Sequence, residues 1–76
     1  MLLQVCGTGC AKCNELEKLV KEVVAEKGVA ATVEKVTDLQ AMVKLGVFTT
    51  PALLVDGVIK AAGSVPPKKD IAAWLA

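Results

Sequence analysis

The chain contains no histidine, no tyrosine and no arginine among its 76 residues. Without histidine there are no Ser–His or Cys–His nucleophile pairs, and most catalytic zinc sites are excluded. Without arginine no side chain offers a forked grip on phosphate or carboxylate. Aromatic residues make up only 3% of a chain that is 54% hydrophobic, so the core must be built from Val, Leu, Ala and Ile. Nine lysines stand against eight carboxylates, a net charge of +1. This balance lacks the basic footprint that nucleic acid requires, so no nucleic-acid partner is expected. No apolar run approaches the roughly 18 residues of a membrane span. The segment Met1–Val5 lacks the basic and long apolar parts of a secretory signal. No membrane partner and a cytoplasmic location are therefore expected. In that compartment paired cysteines are more often catalytic or metal-binding than structural.

What is present reads as one domain over residues 1–76. Leu2–Cys6 is a short apolar run ended by Gly7-Thr8-Gly9, a buried strand followed by a loop. Ala11–Lys27 has helical period, with Cys13, Leu16, Leu19, Val20, Val23 and Val24 on one stripe and Gly28 as the stop. Glu17 and Lys21 form an i, i+4 pair on this helix. Ala30–Val36 alternates in part and predicts a strand with one wetter face. Asp38 caps a short helix carrying Leu39, Met42, Val43 and Leu45, closed by Gly46. Ala52–Val55 and Val58–Lys60 flank Asp56-Gly57, a strong hairpin signal because type I′ turns need positive φ at both central residues. Pro66-Pro67 precedes a last helix, Lys68–Ala76, with an apolar face of Ile71, Trp74 and Leu75. Trp74 packs that helix onto the sheet or serves as a surface anchor. Lys68-Lys69 reads as a solvated first turn. The order is β-α-β-α-β-β-α, an α/β chain with a four-stranded mixed sheet and three helices. A strand–helix–strand crossover makes the first two strands parallel, and helices cover both faces.

The chemistry lies in Cys10-Ala11-Lys12-Cys13. Cys10 falls where the first strand has ended and the first helix begins. Unpaired backbone N–H groups and the helix dipole favour an anion there, and Lys12 adds a positive charge. The thiolate is the attacking species in disulfide exchange, so Cys10 is assigned as nucleophile. Cys13 opens the apolar stripe and points inward. It is assigned as the resolving thiol, with Cys10–Cys13 the redox-active disulfide. Gly7 and Gly9 form a plain strand–helix turn or leave room near the sulfur for another protein's backbone. Pro51 precedes a central strand, where proline forfeits a ladder bond; an ordinary trans proline and a cis one both fit the local sequence.

Cys10-Ala11-Lys12-Cys13 after the first strand, Thr50-Pro51 before the third and the Val55-Asp56-Gly57 hairpin together resemble the thioredoxin superfamily. Gly7-Thr8-Gly9-Cys10-Ala11-Lys12-Cys13 and Thr50-Pro51-Ala52-Leu53 are most similar to its small thioredoxin- or glutaredoxin-like redox-active disulfide proteins. The resemblance implies a thioredoxin-like fold and a cis Thr50–Pro51 bond beside the cysteine pair. It implies that substrate chain pairs with the backbone of Thr50, with Pro51, Gly9 and Lys12 also at the substrate site. It implies protein disulfide substrates, a separate thioredoxin-reductase-like electron donor, a monomer and no bound cofactor. Three features depart from the pattern. Gly9 stands where a tryptophan often precedes the first cysteine, Ala11-Lys12 replaces Gly-Pro, and the first strand offers Gln4 rather than a buried acid.

Two other readings use the same cysteines. A thiolate metal module or chaperone for Cu(I) or Zn also places a C-x-x-C after its first strand, but its order is β-α-β-β-α-β. Cys6, Cys10 and Cys13 also have the C-x3-C-x2-C spacing of radical iron–sulfur enzymes, whose barrels are far larger than this chain. Cys6 reads as a small core thiol, with a regulatory or alternative disulfide partner as the other possibility.

Overall fold

The structure is a computed structural model that describes residues 1–7 and 11–75. Its elements are β1 (Leu2–Cys6), α1 (Ala11–Lys27), β2 (Thr32–Val36), α2 (Leu39–Lys44), β3 (Ala52–Val55), β4 (Val58–Ala62) and α3 (Lys68–Trp74). The strands form a mixed sheet in the order β2-β1-β3-β4. β1 and β2 are parallel, while β3 is antiparallel to both of its neighbours. The chain thus follows the expected β-α-β-α-β-β-α order of a thioredoxin-like fold, and not the order of the small metal carriers.

Register sorts the apolar residues onto two faces. Leu3 lies opposite Val55 and Val5 opposite Leu53, while Gln4 lies opposite Leu54 and Cys6 opposite Ala52. Because side chains alternate along a strand, the first set shares one face and the second set the other. Leu3, Val5, Leu53 and Val55 meet Leu16, Val20 and Val23 of α1 and Ile71 of α3, with Leu75 just beyond it. Cys6, Ala52 and Leu54 meet Val36, Val47 and Met42 of α2 in a smaller cluster. Each fully buried Val or Leu contributes about 1.5–3 kcal/mol, so the larger cluster under α1 dominates stability.

Local signals act where expected. The Cys13, Leu16, Val20 and Val23 stripe of α1 is buried, and Lys21 Nζ lies 3.4 Å from Glu17 Oε2. Asp38 Oδ1 accepts the Gln40 N–H at 3.0 Å, capping α2. Asp56 and Gly57 both have positive φ, 50° and 84°, as a two-residue hairpin turn requires. Asp56 adds a role that the sequence did not announce: its carboxylate accepts the Leu2 N–H at 2.7 Å, tying the turn to the start of β1.

Two strand boundaries are corrected. β2 begins at Thr32 rather than Ala30, because its pairing starts with Thr32 opposite Leu2, the Thr32 N–H donating to the Met1 carbonyl at 2.9 Å. β4 continues past Lys60 to Ala62, with an irregularity that leaves Lys60 unpaired between Ile59 and Ala61. Within α2 only Met42 is buried, and Leu39 and Val43 are 65% and 57% exposed. Lys68 lies in the solvated first turn of α3 and also pairs with α1. Its Nζ reaches Glu26 Oε1 at 2.8 Å and Glu22 Oε2 at 3.8 Å, holding the start of α3 against α1. The hydrogen bond to Glu26 pushes the Lys68 ammonium above its ordinary pKa. Trp74 is half-buried against the larger cluster, which matches its packing role. Among the described residues no helix is long and apolar enough to cross a membrane.

Candidate active site

The topology gathers several chain ends at one end of the sheet. Cys6, the last residue of β1, lies opposite both Val36, the last of β2, and Ala52, the first of β3. Gly7 continues from β1 and donates its N–H to the Val36 carbonyl at 3.0 Å. The Thr50–Pro51 peptide bond lies immediately before β3 and is cis. Pro51 is buried, and its carbonyl accepts the Gly63 N–H at 2.9 Å. Gly63 adopts a φ of +83°, and a Cβ there would stand 3.4 Å from Thr49 Oγ1. Glycine thus lets the end of β4 close over the segment that presents Thr50. Thr50 is exposed, and no described residue hydrogen-bonds to its backbone.

Cys13 is fully buried in the first turn of α1. Its place follows from the helix: it heads the stripe that continues through Leu16, Val20 and Val23 into the larger cluster. Ala11 and Lys12 beside it are exposed. No acidic residue occupies the first turn of α1, so nothing there opposes the positive end of the helix dipole. Cys10 and Gly9 lie outside the described residues. Their assigned roles and the Cys10–Cys13 disulfide rest on sequence position. The structure brings Cys13, Thr50 and Pro51 to one end of the sheet. It leaves Lys12 on the surface of the same helical turn.

Gly7 has a neighbour that sequence reading missed. The sequence suggested a strand–helix turn with room near Cys10, whereas Gly7 packs against the side chain of Cys13. Only the close spacing of Gly7 and Cys13 hinted at this, and spacing alone does not specify which atoms touch.

Among the described residues no polar or charged side chain is buried. Gln4 points to the face opposite α1, where its Nε2 donates to Glu34 Oε1 at 3.2 Å. Also among the described residues, no group of three or more His, Cys, Asp or Glu is placed to hold a metal ion.

Cys6 belongs to the other face, packed with Val36, Met42, Ala52 and Leu54. Burial, reinforced by the charge of Glu34, pushes its thiol pKa up. Unfolded Cys6 ionises near pH ~8.5, while the folded thiol keeps its proton to higher pH. The folded state then binds more protons, so this contribution to stability is complete below that pH and is lost as pH rises. Urea melts of the wild type and Cys6→Ala between pH 7 and 10 check this. The wild type is expected to lose more stability over that range than Cys6→Ala, and equal losses would refute it.

A family described as a thioredoxin domain matches residues 1–76. A thioredoxin of Methanothermobacter thermautotrophicus is 41% identical over 71 residues, covering 93% of this chain and 92% of that protein. A thioredoxin of Methanocaldococcus jannaschii is 38% identical over 71 residues, covering 93% of this chain and 81% of that protein.

Proposed function

The chain belongs to the thioredoxin family and is a thioredoxin-type redox protein, and from that premise we propose that it reduces protein disulfides through Cys10 and Cys13. The observation that carries this reading is the buried Cys13 in the first turn of α1, at the end of the sheet where the exposed Thr50 and buried Pro51 emerge.

In the proposed cycle the Cys10 thiolate attacks one sulfur of a substrate disulfide. A Cys10–substrate bond forms, and the second substrate sulfur leaves with the electron pair and takes up a proton. Cys13 then attacks Cys10 Sγ. The Cys10–Cys13 bond forms, the Cys10–substrate bond breaks, and the remaining substrate sulfur departs as a thiolate. The Cys13 proton passes to that thiolate or to water. The substrate gains two electrons and two protons, and the protein loses them. A separate thioredoxin-reductase-like donor restores the dithiol, so the cycle needs no bound cofactor. The first attack draws on the dipole of the 17-residue α1 and on Lys12.

Thr50 supports the substrate role because the residue is exposed and no described residue hydrogen-bonds to its backbone, which leaves it to pair with an extended chain. Phe48, two residues earlier, is 80% exposed and offers such a chain an apolar foothold. Lys12 and Gly9 complete the proposed contact surface around the sulfurs, and the cytoplasm supplies a reducing setting for the monomer.

The test is stoichiometric. Fully reduced protein is mixed with a protein carrying an interchain disulfide, such as insulin, and both are analysed by mass. The expected result is loss of two hydrogens from this protein, mapped to a Cys10–Cys13 bridge, with matching gain by the substrate. An unchanged mass with intact substrate disulfides would refute the proposal.

A further inference from the structure

We propose that Gly7 is a positioning residue whose missing side chain forms the seat for the Cys13 sulfur, and that this seat sets the rate at which the mixed disulfide is resolved. The inference rests on the disulfide-reductase reading and adds to it a residue that acts only on the second step.

The geometry is specific. A Cβ built on Gly7 would lie 2.6 Å from the Cys13 Cβ and collide with its Sγ. Gly7 is buried, and its N–H is held by the Val36 carbonyl at 3.0 Å, so the backbone cannot simply withdraw. Its φ is not among the positive values of the chain, unlike those of Gly28, Gly46, Gly57 and Gly63. An L-residue is therefore compatible with the backbone there, and the demand for glycine is one of space. On the other side Cys13 cannot retreat, because Leu16, Val20 and Val23 lock α1 against Leu3 and Val5.

A methyl group at position 7 would force one of two adjustments. The Cys13 sulfur would turn to another rotamer, of which a helix allows few, or the first turn of α1 would lift. Either moves Sγ from its seat. Attack by Cys13 on Cys10 Sγ, which forms the intramolecular bond and expels the substrate thiolate, depends on the placement of that atom. A displacement of about 1 Å can cost ~10²-fold in such a step. The first attack uses Cys10 alone and is not subject to this constraint.

The experiment compares wild type, Gly7→Ala and Cys13→Ser. Each reduced protein is mixed with a protein disulfide, quenched with iodoacetamide over time and resolved by mass. Cys13→Ser is expected to trap a mixed disulfide through Cys10. Gly7→Ala should form that species at near wild-type rate and resolve it roughly 10- to 100-fold more slowly. A merely structural role would lower stability and leave the ratio of the two rates unchanged. That outcome, in a folded Gly7→Ala protein, overturns the proposal. No trapping by Cys13→Ser would instead refute the reductase reading itself.

Gly7→Ala that does not fold is answered by Gly7→Ala/Cys13→Gly, which removes both colliding atoms. The expected result is that the double variant folds and melts cooperatively, with a Tm within ~5 °C of Cys13→Gly alone. A double variant that also fails to fold would place the clash elsewhere and overturn the proposal.

Discussion

Replacing Cys10 with serine is expected to lower disulfide reduction on the order of 10³-fold or more, among the largest functional losses from any single change in this chain. Exchange proceeds through a thiolate that donates its electron pair to a substrate sulfur, and a serine hydroxyl neither ionises at neutral pH nor forms such a bond to sulfur. Cys13→Ser should lose turnover to a similar degree in a different way. It keeps the first attack and stalls with substrate covalently attached, so attached mass rather than rate distinguishes the two variants. Thermal melts of both variants should remain cooperative. Serine differs from cysteine by one atom, but a hydroxyl costs more to bury than a thiol, so Cys13→Ser at this fully buried position should lose some stability. Steady-state reduction of insulin, followed by turbidity, measures the rates. If Cys10→Ser retained a tenth of wild-type turnover, Cys10 would not be the nucleophile. If attached substrate accumulated on Cys10→Ser instead of Cys13→Ser, the two roles would be exchanged.

Leu16→Ala carries the largest expected loss of stability. Leu16 is fully buried in α1, one turn beyond Cys13, and packs into the cluster that includes Leu3, Val5 and Leu53. Removing a buried leucine side chain typically costs 2–5 kcal/mol, from lost transfer energy and the cavity that remains. Small domains seldom hold much more than about 5 kcal/mol in total. At 4–8 °C per kcal/mol, a mid-range cost of about 3 kcal/mol lowers Tm by roughly 12–24 °C. A urea melt should show a midpoint shifted well down with an unchanged slope. Leu39→Ala is the control, since Leu39 is 65% exposed and its truncation should change stability by no more than ~0.5 kcal/mol. Equal effects from the two variants would mean that α1 is not the main packing helix.

Much of this architecture is legible along the chain because the signals are local. The α1 stripe repeats at three and four residues, and each of its members that the structure buries is named by that period. Asp38 caps by a contact with Gln40, two residues away. Asp56-Gly57 forms its turn because both backbone conformations suit those two residues. Where the structure adds to what the sequence shows, the deciding partner is distant. Lys68 is held by Glu22 and Glu26, which lie on another helix. Leu39 and Val43 share the apolar character of Met42, yet of the three only Met42 is buried in the smaller cluster.

The candidate site divides in the same manner. The identity and spacing of Cys10 and Cys13, and a helix start at Ala11 with its dipole, follow from consecutive residues. The sequence alone determines them because thiol chemistry and helix termini are properties of the local chain. The approach of Thr50-Pro51 to the same end of the sheet depends on β3 running antiparallel beside β1. The seating of the Cys13 sulfur on Gly7 depends on how α1 packs against that strand. Only the tertiary structure decided these two, since a contact between segments is fixed by the register and packing of the whole sheet and by no residue's own preference.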